Sequence, residues 1–220
     1  MKHYYYFFAV LVLCIMSART FAQNPFYPKC KVNNGKVSLN FRDGHKFDVD
    51  CVIRWNDLNY YLDYLQDHPK QEVTFAISDM SRWNHKNRNL PLNYFSQSTN
   101  ILVNIVLIGG PELISIGGNS FEDCYALKSI YIPKSVYVIG GNAFKGCRFS
   151  SITLPKNVTR INSCAFINNP NLVKVVFEGH PTFEDNTPFN NTNPDLTIYV
   201  KKKYLSEYKE KYPFLHFEKL

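Results

Sequence analysis

The motifs of catalysis and metal binding are largely missing from this chain. It has no Cys-x-x-Cys pair and no histidine-rich stretch, so the spacing that builds a zinc site is absent. Gly-x-Ser-x-Gly, His-Glu-x-x-His and the glycine-rich phosphate loop are absent too. The histidines at 45, 68, 85, 180 and 216 are dispersed. A hydrolase in the N-terminal block would rest on Asp79 and His85, six residues apart in a polar stretch, and a surface histidine is the simpler reading. No enzymatic activity, cofactor or metal is expected. After residue 22 no apolar run approaches the ~18 residues of a membrane-crossing helix. The formal charge is +7, but Lys134, Lys145, Arg148, Lys156, Arg160 and Lys174 are scattered and only Lys201-Lys202-Lys203 forms a run. A nucleic-acid surface wants a denser stripe, so no nucleic-acid partner is expected.

What is present begins with a targeting segment. Met1-Lys2-His3 is a short positive start, and residues 4–16 are apolar and aromatic, the length of a signal-peptide core. Thr20-Phe21-Ala22 places small residues at the −3 and −1 positions, which puts cleavage before Gln23. Cleavage would remove Lys2 and Arg19, and with them two of the positive charges. The expected location is outside the cytoplasm: cell surface, secreted or periplasmic.

The middle of the chain repeats itself. Ile116-Gly117…Phe121…Cys124…Leu127…Ile130-x-Ile132-Pro133 returns as Ile139-Gly140…Phe144…Cys147…Phe149…Ile152-x-Leu154-Pro155, then as Ile161-Asn162…Phe166…Asn169…Leu172…Val175-x-Phe177. A fixed period of this size marks a solenoid whose units bury their apolar faces on one another. Ile152 and Leu154 alternate with Ser151 and Thr153, which makes the second motif a strand with one inward and one outward face. Glycines 117, 140 and 141 are expected to serve turns that need positive φ. Cys124 and Cys147 share one slot, three residues after a core Phe, and are expected as buried thiols. Leu92…Phe95…Ile105-x-Leu107 fits a degenerate earlier unit, and Phe183 with Phe189 a broken later one.

Flanking blocks look like caps. Val37-x-Leu39-x-Phe41, a turn at Asp43-Gly44, and Phe47-x-Val49-x-Cys51-x-Ile53 predict a β-hairpin. Leu58, Leu62 and Leu65 predict a helix over 56–67, stopped by Pro69, and residues 72–77 a strand. In an oxidising compartment Cys30 and Cys51 are disulfide candidates. At the other end residues 196–200 read as a strand, Tyr204, Leu205, Tyr208 and Tyr212 as a helical stripe ended by Pro213, and 214–217 as a last strand.

The unit Leu127-x-x-Ile130-x-Ile132-Pro133-x-Ser135-Val136-x-x-Ile139-Gly140-x-x-Ala143-Phe144-x-x-Cys147 resembles the BspA-type leucine-rich repeat at every signature position. The next unit departs, with Asn157, Asn162 and Asn169 for Ser, Gly and Cys and one residue missing between Cys147 and Phe149. The resemblance implies a mostly β, α/β-type repeat solenoid: a short right-handed leucine-rich-repeat coil with an N-terminal hairpin–helix cap and a C-terminal strand–helix cap. The expected division is a signal peptide over 1–22, an N-terminal cap over 23–91, repeats over 92–195 (three clear, one or two degenerate) and a C-terminal cap over 196–220. It also implies a surface or secreted protein of anaerobic Gram-negative bacteria or certain parasitic protists, in a family linked with adhesion to host matrix proteins. A binding or adhesion module for an extracellular protein or glycan is therefore the expected function, with a secreted or periplasmic scaffold as the alternative. Outward strand positions form two rows, Asn104–Ser129–Ser151–Lys174 and Val106–Tyr131–Thr153–Val176. Ser129, Tyr131, Ser151, Thr153, Lys174 and Val176 are the candidate binding residues, Tyr131 the best anchor because tyrosine is enriched in hot spots. Trp83, in the polar loop, is a second candidate.

Overall fold

The computed structural model describes residues 29–33, 36–41, 43–54, 72–78, 102–108 and 113–220. The targeting segment, the helix over 56–67, the loop around Trp83 with Asp79 and His85, and the start of the degenerate repeat at Leu92 lie outside the described residues.

Three antiparallel strands come first: β1 (Lys29–Asn33), β2 (Lys36–Asn40) and β3 (Lys46–Val49). Leu39 opposes Phe47 across the β2–β3 hairpin, and Gly44 turns the chain at φ +94°. The run over 47–53, expected as one strand, breaks at Asp50. Its N–H donates to the Thr74 carbonyl (2.7 Å) while its carboxylate accepts from the Thr74 N–H (2.8 Å). That exchange moves the chain into a second sheet, where β4 (Cys51–Arg54), β5 (Glu72–Ser78) and β6 (Leu102–Leu107) run parallel.

From β6 onward the chain coils. Each turn carries one strand on a long side and a two-residue strand on the opposite side. The short strands β7 (Ser115–Ile116), β9 (Val138–Ile139), β11 (Arg160–Ile161) and β13 (Thr182–Phe183) pair in parallel. The long side holds β8 (Leu127–Tyr131), β10 (Ser151–Leu154), β12 (Lys174–Phe177) and β14 (Thr197–Val200). It is not one sheet: β4-β5-β6-β8 form one and β10-β12-β14 begin another, with no ladder between β8 and β10.

The coil interior is a column of rings. Phe121 stacks on Phe144 (5.2 Å, 5°), Phe144 on Phe166 (5.4 Å, 10°) and Phe166 on Phe189 (5.1 Å, 1°). All four are buried, each worth about 2–3 kcal/mol of apolar burial. Phe189 and the β13 pairing make the broken unit a full turn of the coil. The cysteine slot is more than filler. The Cys147 thiol donates to the Phe121 carbonyl (3.1 Å), and in the next turn the Asn169 amide donates to the carbonyls of Phe144 (2.8 Å) and Phe166 (2.7 Å). Asparagine thus replaces cysteine because the slot needs a donor toward a buried carbonyl.

Glycines 117, 140 and 141 do not supply positive φ. Asn119, Asn142 and Cys164 do so at one turn position, and Asp123, Gly146, Asn168 and Asn191 at another. Gly140 serves close approach instead: a Cβ there would stand 2.5 Å from the Gly118 nitrogen and 2.8 Å from the Ile116 carbonyl oxygen.

After β14 a 3₁₀ turn (Lys202–Tyr204) leads into α1 (Leu205–Lys211), and β15 (His216–Lys219) joins β14 in parallel. Tyr208 is buried against Phe177 and Phe217, and its hydroxyl donates to the Pro181 carbonyl (2.6 Å). The helix therefore closes the last face of the aromatic interior.

Candidate functional site

The outward rows expected from the alternation are real. Asn104 stands beside Ser129 and Val106 beside Tyr131; Ser151 stands beside Lys174 and Thr153 beside Val176. The β10-β12-β14-β15 sheet extends them to Thr197 and His216 in one row and Tyr199 and Glu218 in the other.

Exposure divides the row of Val106, Tyr131 and Thr153 at the break between β8 and β10, whereas in the other row Ser129 is exposed like Ser151. Over the β4-β5-β6-β8 sheet the N-terminal hairpin lies on the outward face. Val37, Leu39 and Val49 pack there with Val52, Ala76, Val106 and Ile108 in a second apolar core, separate from the coil interior. Val106 is 2% exposed. Tyr131, expected as an exposed anchor, is instead half-buried: its ring centroid lies 5.0 Å from Phe41, 4.8 Å from Phe47 and 5.1 Å from His45. The cause is that β5 and β6 are apolar on both faces, and the outward one needs a cover.

The hairpin tip is held by charge as well. Asp43 receives the Tyr131 hydroxyl (3.1 Å) and its own neighbour's His45 N–H (3.2 Å), with His45 Nδ1 at 3.0 Å and the Lys134 ammonium at 3.3 Å. Partial burial pushes the Asp43 carboxyl up, but the donors from His45, Lys134 and Tyr131 outweigh it and hold it at about 2. Burial and the Asp43 charge both push the Tyr131 phenol up, so it stays protonated and donates.

Beside this latch, where the sheet breaks, a cleft of about 380 Å³ opens between the hairpin tip and strands β8 and β10. Ser129, Tyr131, Ser151 and Thr153 line it, joined by Asp43, His45, Lys134 and Glu178. Ser129 already donates to Asn104 (2.6 Å), which in turn donates to Glu72 (2.7 Å); Glu72 also pairs with Lys128 (2.8 Å). Lys174 and Val176 sit outside the cleft, one strand farther along. Asp43 and His45 escape sequence reasoning because 43–45 reads only as a turn, and Lys134 and Glu178 because each lies in a separate loop just past a strand. Among the described residues no group of three or more His, Cys, Asp or Glu is placed to hold a metal ion.

The repeat geometry agrees with sequence comparison: the model of the BspA type leucine rich repeat region matches residues 88–209 in six copies. The chain belongs to this family. Six copies exceed the three clear and one or two degenerate units legible by eye. Among solved structures, a leucine-rich repeat protein from Bacteroides ovatus ATCC 8483 is similar at 21% identity and a TM-score of 0.39, over 79% of this chain and 46% of that one. The chain thus spans less than half of that protein's length. A comparison with the curated proteins finds no match.

In this BspA-type leucine-rich repeat protein the second half of the strand face is open. Ser151, Thr153 and Lys174 are exposed, and Val176 and Tyr199 are half-buried. The Lys174 ammonium lies 5.1 Å from the centre of the Tyr199 ring. A cation over a ring, hydroxyls and a small apolar patch therefore share one solvent-facing surface. Among the described residues no helix is long and apolar enough to cross a membrane.

Proposed function

We propose that the protein is an exported, non-enzymatic binding module that holds an extracellular protein or glycan on the open half of its strand face. The observation that carries this reading is the contrast within one row. The row buried at Val106 and half-buried at Tyr131 is open to solvent at Thr153, with exposed Lys174 on the next strand. Family membership supports a repeat surface used for interaction, and residues 4–16 support export. N-terminal sequencing of the secreted protein should then begin at Gln23.

The test is a Thr153→Ala, Lys174→Ala double variant set against the unsubstituted protein on matrix proteins, mucins and glycans. A tenfold or greater loss of binding is expected, and unchanged binding would remove the strand face from the reading. Tyr131→Ala is a poor probe because it also undocks the hairpin. The alternative, a secreted or periplasmic scaffold, is favoured by the use of nearly every repeated residue in stacking, and it expects no member of that panel to bind. In either case an oxidising compartment suits a Cys30–Cys51 bridge, for which non-reducing peptide mapping should recover the two peptides linked.

A further inference from the structure

We infer that the cleft between the hairpin tip and strands β8 and β10 is a binding site for one neutral sugar ring. This goes beyond the strand-face reading and shares only Ser151 and Thr153 with it.

The cleft is concave and about 380 Å³, within the range of small-ligand pockets, which starts near 300 Å³. Its apolar lining comes from the Tyr131 and Phe47 rings, with Ile130, Ile152 and Pro155 where the strands part. Its rim is polar, with Ser151 and Thr153 hydroxyls on one side and Asp43 and Lys134 on the other. Glu178 completes the wall, and among the described residues its carboxylate has no ion-pair or hydrogen-bond partner.

The lining charges decide the ligand class. Two carboxylates face one ammonium and the His45 imidazole, so a phosphate, sulfate or carboxylate ligand would find no excess of positive charge to hold it. A cationic amine would be drawn to Glu178 and opposed by Lys134, whose ammonium already sits 3.3 Å from Asp43. A purely apolar ligand would strand the Glu178 carboxylate and the rim hydroxyls without water. A neutral polyhydroxylated ring meets none of these penalties. Its hydroxyls donate to Glu178 and accept from Lys134 and Thr153, and its C–H face rests on the Tyr131 and Phe47 rings. The sheet break supplies the depth: β8 and β10 are the two long-side neighbours that no ladder joins.

The test uses saturation-transfer NMR on the full chain with a panel of methyl glycosides: glucose, galactose, mannose, N-acetylglucosamine, N-acetylgalactosamine and fucose, each at millimolar concentration. Agmatine serves as the cationic control and inorganic phosphate as the anionic one. At least one glycoside should receive saturation. Glu178→Gln should weaken that binding at least fivefold, and Thr153→Trp, which fills the cleft from an exposed position, should abolish it. Lys174→Ala lies outside the cleft and should leave glycoside binding unchanged even where it abolishes binding of a protein partner, so the two readings fail separately. Circular dichroism checks that each variant is folded, and the two cleft variants stand in for one another if either is not. No transfer to any glycoside, transfer unchanged in the folded cleft variants, or preference for agmatine or phosphate would overturn the assignment.

Discussion

The two halves of the strand face share one coil interior and end in different states. Over β4, β5, β6 and β8 the outward row through Ala76, Val106 and Tyr131 lies beneath a hairpin; over β10, β12, β14 and β15 the matching row faces solvent. The inward sides do not differ: Ile105 and Val175 are equally buried. Stacking therefore explains the interior of both halves and the fate of neither outer face. That fate follows from a few outward residues. Ala76, Val106 and Ile108 are apolar and need cover, whereas Ser151, Thr153 and Lys174 are content in water.

The sharpest way to break this contrast is one truncation made in both halves. Val106→Ala removes two buried methyl groups beneath the hairpin and should cost about 2 kcal/mol. Val176→Ala, in the same row on the open half, should stay within about 0.5 kcal/mol. Urea unfolding measures both. Equal losses would mean that the hairpin does not cover the first half in solution.

Next in size is the latch at the hairpin tip. Asp43→Asn keeps the shape but removes the charge that receives Tyr131, His45 and Lys134, for an expected cost of about 1 kcal/mol near neutral pH. The pH dependence has a definite sign. Folding lowers the Asp43 carboxyl from 3.8 to about 2, so the folded form holds the carboxylate more readily than the unfolded chain does. Its contribution is fully present above about pH 4 and is lost as the pH falls from 3.8 through 2. Melting curves of the two proteins should differ at pH 6 and converge toward pH 2. A gap that stays constant across that interval would assign the effect to shape rather than charge.

Much of this architecture is legible in the sequence, because a 22–23-residue period with Phe, Ile and Pro in fixed slots leaves few other ways to bury them. The strand registers and the tyrosine stripe of the C-terminal helix follow from the same local pattern. The hairpin's resting place does not, since it depends on two faces brought together only by tertiary contact. A sign of it was available: Phe75-Ala76-Ile77 and Ile105-Val106-Leu107-Ile108 are continuous apolar runs, the mark of strands buried on both sides. Tyr131 looked like a free anchor because alternation reports which face a residue takes and says nothing about what lies on that face. The same limit hid the cleft, whose Asp43, Lys134 and Glu178 come from three separate loops. The glycines misled for another reason. Asparagine, aspartate, one cysteine and Gly146 take the left-handed turn positions of the coil, leaving Gly140 for a backbone contact that no local rule foretells.

The smallest effect tests whether the open half is held by anything beyond its own strands. Lys174→Gln removes the ammonium over Tyr199 and leaves a polar side chain of similar reach. A cation over an exposed ring is worth about 0.5–1 kcal/mol, and the retained contact of the side-chain stem should bring the measured loss to about 0.5 kcal/mol or less. Thermal unfolding at low and high salt gives the number, and the loss should shrink as salt is added. A loss as large as that of Val106→Ala would show that the open half is fastened as firmly as the covered one. A small loss shows the reverse, a surface on which side chains change freely at little cost to the fold, and that freedom is what a binding face needs and a core position lacks.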